Sequence, residues 1–334
     1  MPIPSVNSEM DSLDATQSSK LAAMRQEFSD KGSPADVNFP LNDSCFLRYL
    51  RARKFDLGKA KNLLQETLNW RRDFGVEEIF SSSWINTVAK ENETGKTYVR
   101  GVDADGHALV YMRPKNENTY EHDGNLKHLV YNLERACSVM RNREIDEHNA
   151  SAEKMCLLID YDGYSLLNAP PIKTARATLN ILQNHYPERL FRAYCIRPPW
   201  IFSTFWTVIS PFIDPVTKAK IVMLHGSPED IAARLSADGI SLDILESSLG
   251  GKDGIPFNSS VYIGVRQPHS FVKSMIKDIT ETSVFNLEGV GSIKSTSSKE
   301  ENDGKSTDDL SLCQEAFRRD YSAIIKEALD LERL

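Results

Sequence analysis

Residues 155–196, MCLLIDYDGYSLLNAPPIKTARATLNILQNHYPERLFRAYCI, contain the alternation of patterns that decides the fold class. The run MCLLIDY is continuously apolar, has the length of a strand and carries an aspartate at its end, as is typical of a strand covered on both faces. Apolar residues then recur at helical spacing between residues 172 and 186, and a second short apolar strand follows at residues 192–196. A strand, a helix and a strand in this order predict an α/β fold with a largely parallel sheet.

The same alternation continues on both sides of this unit. Residues 96–114 predict two short strands joined at Asp-Gly (105–106), because glycine supplies the positive φ that such a hairpin needs. A strongly amphipathic helix is predicted at residues 126–140, and another short apolar strand at residues 219–224. Further along, a last short strand is predicted at residues 261–265.

The chain is predicted to divide into six segments. They are a polar lead-in that is disordered or loosely helical (1–35), a helical N-terminal lobe (36–92), an α/β lobe (93–265), a C-terminal extension (266–285), a Ser-, Lys- and acid-rich linker of disordered composition (286–309) and an amphipathic tail helix (310–334). Order is expected to begin at Asn42 or Asp43, either of which can cap a helix, and Gly75 is expected to end the second helix of the lobe.

Composition argues against several classes of function. A net charge of −7 does not suit a protein that neutralises nucleic-acid phosphates, so no nucleic-acid partner is expected. The longest nearly uncharged run, residues 198–213, is shorter than the ~20 residues that span a bilayer, and the N-terminus has no apolar run after a basic start. Five cysteines lie without metal-ligand spacing and are expected to be buried free thiols. These features predict a cytoplasmic protein.

Catalytic and metal-binding signatures are missing from the sequence. It has no G-x-S-x-G, H-E-x-x-H, G-x-x-x-x-G-K-[ST] or strand-linked G-x-G-x-x-G motif, and its seven histidines form no i, i+4 pair. We expect no catalytic residue, no metal and no cofactor apart from a bound ligand. A hydrolase is the alternative from another class, although no Ser-His-acid set is recognisable. His185 is expected to make a structural hydrogen bond in a turn.

Residues 184–220 combine an almost uncharged segment with charged turns at both ends. A helix over residues 200–213 would be apolar nearly all round, so it must lie in the core or face an apolar molecule that is not protein. The charged turns favour the second interpretation. The large apolar side chains of this segment include Trp200, Ile201, Phe202, Phe205, Trp206, Ile209, Phe212 and Ile213.

The flanking turns carry side chains that suit a lipid headgroup. Glu188 offers acceptors to the hydroxyls of a polyol such as inositol, and Thr217 offers a hydroxyl. Lys220, with Arg53 or Lys54 from the run RARKF, would supply the positive charge that a phosphodiester needs. The alternative for RARKF is a solvated helix end, where basic residues interact favourably with the helix dipole.

Four motifs in this order, FLRYLRARKFDLGKA, LLIDYDG, NHYPERL and PFIDPVTKAK, resemble the CRAL-TRIO lipid-transfer family of the secretory phosphatidylinositol-transfer type. RPKNENT at residues 113–119 and the helix HLVYNLERA are most similar to its sterol-binding phosphatidylinositol-transfer subfamily. The resemblance implies a helical N-terminal lobe beside a mixed, largely parallel five-stranded sheet that floors an apolar lipid cavity, with residues 200–213 as a mobile gate helix. The phosphatidylinositol headgroup site that it implies consists of Arg53, Lys54, Glu188, Thr217 and Lys220.

The positions of the second ligand depart from the family pattern. Family members that exchange phosphatidylcholine present a Ser-x-Thr pair on the strand that enters the cavity, where this chain has Met155 and Leu157. An apolar wall lacks the donors that a phosphocholine headgroup would use, so a sterol or another weakly polar lipid is the expected second ligand. The expected function is gated exchange of phosphatidylinositol and this lipid at a transiently visited membrane, by a monomer without enzymatic activity. A phosphoinositide kinase is a candidate partner, and a lipid-sensing scaffold or adaptor is the alternative function.

Overall fold

The computed structural model describes residues 12–31, 39–79, 82–141, 153–165, 168–200, 202 and 218–264. Within them the α-helices are α1 (Ala15–Phe28), α2 (Asp43–Ala52), α3 (Leu57–Phe74), α4 (Ser82–Asn92), α5 (His122–Arg141), α6 (Ile172–His185), α7 (Pro228–Ala237) and α8 (Ser259–Gly264). The β-strands are β1 (Thr97–Val102), β2 (Ala108–Met112), β3 (Met155–Asp160), β4 (Leu190–Ile196) and β5 (Ile221–Leu224). The predicted C-terminal extension, linker and tail helix lie outside the described residues, and these assignments stay predictions.

The N-terminal lobe is a small bundle in which α1, α2 and α3 surround a core of their own. Phe28 and Phe46 are among its fully buried side chains. Asn42 caps α2 with a side-chain oxygen that accepts a backbone N–H at 3.0 Å. Gly75 ends α3 in a left-handed conformation with a φ of 76°. The predicted start of α2 and the predicted end of α3 are both confirmed.

Helix α1 corrects the expectation that order begins at Asn42 or Asp43. Asp14 caps α1 and exchanges two hydrogen bonds with Gln17, which forms a capping box. The side chains that α1 buries in the lobe are Leu21, Met24 and Phe28. They form a narrow apolar stripe among polar residues, and the stripe becomes recognisable as a core face only when the partner helices are known.

The five strands form one mixed sheet in the order β1-β2-β3-β4-β5. Strand β1 pairs with β2 in antiparallel fashion across the predicted Asp-Gly turn, and the pairs β2-β3, β3-β4 and β4-β5 are parallel. Parallel neighbours need crossover connections, which α5 provides between β2 and β3 and α6 between β3 and β4. The predicted α/β class and the largely parallel five-stranded sheet are confirmed.

The strand predicted at residues 261–265 is wrong, because helix α8 occupies this segment as far as residue 264. Asn258 caps α8 with a side-chain oxygen that accepts a backbone N–H at 3.0 Å. The hydroxyl of Tyr262 accepts a hydrogen bond from the N–H of Val99 at 3.0 Å. A side chain therefore satisfies this backbone donor of β1, and no sixth strand is added there.

The helical lobe and the sheet lobe meet through helices. Helix α3 packs against α6, and α6 packs against α5, which in turn covers β1 and β2. The turn at residues 185–189 follows α6 and precedes β4. It therefore lies where the helical lobe contacts the sheet lobe.

Candidate functional site

Four residues other than glycine in the described part of the chain have a left-handed backbone. They are Lys54, Phe55, Glu188 and Arg197, with φ values of 50°, 60°, 57° and 52°. Two of them, Lys54 and Glu188, belong to the predicted headgroup set. A residue with a Cβ atom adopts this region at a cost of about 1–3 kcal/mol, and such residues cluster at binding and active sites. The backbone strain therefore marks the turns of Lys54 and Glu188 as candidates for a ligand site.

The predicted headgroup residues differ in exposure and in their contacts. Lys54 is exposed, whereas Arg53, Glu188 and Lys220 are half-buried. The side chains of Lys54, Glu188 and Lys220 make no hydrogen bond or ion pair with any other residue in the described ranges. Arg53 donates to the carbonyl oxygen of Ala52 at 3.1 Å.

Contacts at the starts of the parallel strands bring the segments of this set together. Arg48 of α2 forms an ion pair with Glu153, which precedes β3. The carbonyl oxygen of Glu153 accepts a hydrogen bond at 2.8 Å from Arg189, the neighbour of Glu188. The carbonyl oxygen of Lys220 accepts a backbone N–H of β4 at 2.8 Å. Helix α2, the turn before β4 and the residue before β5 therefore all attach to one edge of the sheet.

Part of the predicted site and most of the predicted gate lie outside the described residues, and those assignments stay predictions. The residues concerned are Thr217, Ile201, Phe205, Trp206, Ile209, Phe212 and Ile213. At the start of the gate segment, the Trp200 side chain is 63% exposed. The ring of Phe202 lies 5.3 Å from that of Tyr161, at the end of β3.

One face of the sheet is apolar and incompletely covered. Residues paired in register point to the same face, so Leu157 shares a face with Val110 and Ala193. Met155 lies two residues before Leu157 and belongs to this face as well. Its half-buried members are Met112, Leu157, Ile159, Ile221 and Met223. The opposite face is core, where Leu158 is 1% exposed. The face that carries Met155 and Leu157 thus offers an apolar surface with room for contact.

A buried polar cluster joins the helical lobe to the turn before β4. This interlobe cluster consists of Thr67, Trp70, Arg71, Glu134, His185 and Tyr186. Glu134 accepts hydrogen bonds from Arg71 at 2.8 Å and from the Tyr186 hydroxyl at 2.5 Å. The His185 ring stacks on Trp70 with ring centroids 4.2 Å apart. His185 Nδ1 lies 3.2 Å from the hydroxyl oxygen of Thr67, which confirms the structural hydrogen bond predicted for this histidine.

The interlobe cluster was not predicted from the sequence, although α3 carries a signal for it. Thr67 and Arg71 are four residues apart and share a helix face, and both are buried despite being polar. Glu134 similarly lies buried in α5. Spacing within one helix identifies such residues as unusual, but their partners lie on other helices and follow only from the way in which α3 and α5 pack on α6.

Burial sets the charges in the interlobe cluster. Burial, with a smaller contribution from the positive charge of Arg71, lowers the pKa of His185 to about 4, so the imidazole is neutral at neutral pH. Burial raises the pKa of Glu134, but the charge of Arg71 and the hydrogen bonds from Arg71 and Tyr186 outweigh it, and the resulting pKa lies below the ordinary value. A cavity of about 10 Å³ lined by Arg71, Glu134 and His185 leaves room for a single water molecule.

Comparisons with known proteins identify the family. The CRAL/TRIO domain matches residues 92–251, and the CRAL/TRIO N-terminal domain matches residues 18–66. SEC14 cytosolic factor of Candida glabrata is 30% identical over 253 residues, which cover 72% of this chain and 80% of that protein. The chain belongs to the CRAL/TRIO family. The resemblance predicted from the four motifs is confirmed.

Other CRAL/TRIO relatives match shorter parts of their own length. Phosphatidylinositol transfer protein PDR17 of Saccharomyces cerevisiae is 38% identical over 192 residues, 55% of this chain and 53% of that protein. The chain spans 17% of CRAL-TRIO domain-containing protein C23B6.04c of Schizosaccharomyces pombe, with 39% identity over 181 residues, 54% of this chain. The crystal structure of Sfh5 has a TM-score of 0.54 at 17% identity and covers 80% of this chain and 98% of that one. This last similarity concerns the fold alone.

Two further features of this CRAL/TRIO chain concern membranes and metals. None of the helices in the described part of the chain is both long and apolar enough to cross a bilayer. Asp103, His107 and Cys156 each place one ligand atom within 4.8 Å of the others. His107 Nδ1 lies 2.7 Å from Asp103, and the sulfur of Cys156 lies 3.7 Å from the same carboxylate. The arrangement therefore fits a hydrogen-bonded cluster.

The cysteines of the described part are buried and free, as predicted. They are Cys45, Cys137, Cys156 and Cys195. The fifth, Cys313, lies outside the described residues.

Proposed function

We propose that this CRAL/TRIO protein binds phosphatidylinositol, transfers or presents it, and exchanges it for a second, weakly polar lipid such as a sterol. One observation carries the proposal: Lys54, Glu188 and Lys220 have no partner among the described residues, and their segments attach to one edge of a sheet whose apolar face is partly exposed. The names of relatives support it, since PDR17 is a phosphatidylinositol transfer protein.

The headgroup needs groups of both charges. Its phosphodiester is an anion, which Lys220 would neutralise together with Arg53 and Lys54, and the forked donors of arginine suit phosphate oxygens. The inositol ring carries hydroxyl donors, and the ionised carboxylate of Glu188 is a strong acceptor for them. Thr217 would add a hydroxyl to the same site. A choline headgroup has no hydroxyl to donate, so Glu188 favours inositol.

The acyl chains would lie on the apolar face of the sheet, under the predicted gate at residues 200–213. Each buried CH₂ group stabilises the bound lipid by ~0.8 kcal/mol, so a chain left in water would make extraction from a membrane very unfavourable. Half-buried apolar side chains from three strands, Met112, Leu157 and Ile221, provide the surface that such chains need.

The second lipid would meet the same face at Leu157. Met155 is 2% exposed, whereas Leu157 is half-buried, so a ligand reaches Leu157 more readily. A polar headgroup placed there would lose hydrogen bonds to water without replacement, at a cost of about 1–3 kcal/mol per group. We therefore favour a sterol or a similar lipid over phosphatidylcholine.

The protein would act in the cytoplasm as a monomeric carrier that docks transiently on membranes and catalyses no bond chemistry. Trp200 is 63% exposed, and tryptophan suits the boundary between lipid and water. Exchange would shift the gate between an open state at the membrane and a closed state in solution. A phosphoinositide kinase is the proposed user of the presented lipid.

Transfer of labelled phosphatidylinositol between vesicles tests the headgroup site. Glu188→Ala combined with Lys220→Ala should abolish phosphatidylinositol transfer and leave transfer of a fluorescent sterol intact. The matched control, Asp243→Ala with Lys252→Ala, removes the same two charges from an exposed ion pair and should leave both activities unchanged. Equal loss of both lipids in the site variant would contradict the assignment and indicate misfolding.

A further inference from the structure

The Glu188 carboxylate makes no contact of its own with a polar group in the described part of the chain, so its direction depends on the backbone of the turn at residues 185–189. We propose that Thr67 and Trp70 of α3 are positioning residues, which act through His185 to direct Glu188 towards an inositol headgroup. The inference rests on the proposed function, and it makes the helical lobe a determinant of headgroup selectivity.

The Thr67 hydroxyl fixes the tautomer of His185. Its oxygen lies 3.0 Å from the carbonyl oxygens of Leu63 and Asn184 and 3.2 Å from His185 Nδ1. A hydroxyl has a single proton, and the two carbonyl oxygens, which can only accept, lie closer to it than Nδ1 does, so we assign its hydrogen bond to one of the carbonyls. His185 Nδ1 must then carry a hydrogen and donate it to Thr67. The imidazole is therefore the Nδ1–H tautomer, held along its edge by α3.

Trp70 fixes the plane of the same ring. The indole and the imidazole are 4.2 Å apart at their centroids, and their planes differ by 2°. With its edge bonded to Thr67 and its face covered by Trp70, His185 cannot rotate without losing one of these contacts. Glu188 follows three residues later, and its φ is 57°. Because the backbone between them is short and strained, a change in the orientation of His185 should change the direction of the Glu188 side chain.

Neighbouring side chains hold the rest of the turn. Tyr186 donates to Glu134 at 2.5 Å, and Arg189 donates to the carbonyl oxygen of Glu153 at 2.8 Å. The polar side chains on either side of Glu188 are thus bound, while Glu188 remains unpaired among the described residues. A preorganised binding residue needs neighbours that are held by contacts of their own, while its functional group stays available for the ligand.

Substitutions at Thr67 test the inference in the full chain. Thr67→Val removes the hydroxyl at nearly constant volume and should weaken binding to phosphatidylcholine vesicles that contain phosphatidylinositol by about tenfold, the lower end of the losses seen when outer-shell partners are removed from metal sites. Binding of a fluorescent sterol should not change. Thr67→Ser keeps the hydroxyl and should retain wild-type affinity. Leu64→Val, in the core of the same helix, controls for a general loss of stability.

Nitrogen-15 NMR of labelled histidine provides a second readout. His185 should carry its hydrogen on Nδ1 in the wild type and in Thr67→Ser, and should shift towards the Nε2–H tautomer in Thr67→Val. Trp70→Leu, which removes the stacking surface and keeps the hydroxyl, should also weaken phosphatidylinositol binding selectively, and it replaces Thr67→Val should that variant not fold.

Three outcomes would overturn the inference alone while the wild type binds phosphatidylinositol. They are unchanged phosphatidylinositol binding in Thr67→Val, equal loss of both lipids in that variant, and an Nε2–H tautomer of His185 in the wild type. A wild-type protein that binds no phosphatidylinositol would instead overturn the proposed function, and the inference with it.

Discussion

Replacing Glu134 with glutamine is expected to lower the free energy of unfolding by roughly 3 kcal/mol. The side chains of Arg71 and Glu134 are 3% and 1% exposed and lie 2.8 Å apart, so the variant leaves a buried guanidinium without its countercharge. Removing one partner of a buried ion pair typically costs about 3–5 kcal/mol. The lower end applies because the amide oxygen of glutamine still accepts a hydrogen bond from Tyr186 or Arg71.

Urea denaturation followed by circular dichroism measures this change. The control is Asp73→Asn on the same helix, whose ion pair with Arg72 is exposed, with side chains 67% and 70% accessible, and this variant should lie within about 0.5 kcal/mol of wild type. Replacing both partners, with Arg71→Met and Glu134→Leu, should recover part of the loss because no uncompensated charge remains. A loss below about 1 kcal/mol in Glu134→Gln would refute the buried pair that links the two lobes.

Two further predictions concern pH and the second lipid. Burial, aided by the charges of Arg71 and Lys96 respectively, lowers the pKa of His185 to about 4 and that of His128 to about 3. The unfolded chain binds these protons near pH 6.5, so the free energy of unfolding should fall as the pH drops from about 6.5 to 5, by up to ~1.4 kcal/mol per pH unit for each histidine. His185→Gln should reduce that slope in urea titrations, and a slope equal to wild type would contradict the pKa of His185. Leu157→Thr adds an unpaired hydroxyl to the apolar face and should lower sterol transfer roughly tenfold relative to Leu157→Val, in which valine has the shape of threonine without the hydroxyl. Equal sterol transfer by the two variants would show that Leu157 does not face that ligand.

The sheet was predictable from sequence because strand and helix periods alternate cleanly along the chain. All five strands coincide with predicted strands, and Asn42 and Gly75 act as the predicted cap and stop. For the segment of α1 the sequence did not distinguish disorder from a loose helix, because the apolar stripe of this helix is narrow. Helix α8 was taken for a strand because its β-branched residues have strand propensity, which the cap at Asn258 and the bond from Val99 to Tyr262 override.

The residue types of the site were predictable from the sequence. The backbone conformation of its turns and the buried contacts that hold them were not. Motif resemblance selects Lys54 and Glu188, but their left-handed backbone is a property of the folded turns. The pairing of Arg71 with Glu134 joins positions 63 residues apart on two different helices, α3 and α5, which both pack on α6. The spacing of residues within one helix cannot predict which residue of another helix will be the partner.

Mass spectrometry of the lipids extracted from the purified protein tests the central claim most directly. After incubation with vesicles that contain phosphatidylinositol, phosphatidylcholine and sterol, wild-type protein should yield phosphatidylinositol and sterol in preference to phosphatidylcholine. The Glu188→Ala, Lys220→Ala variant should yield sterol without phosphatidylinositol. Recovery of no phosphatidylinositol from the wild type, even after this incubation, would contradict the account.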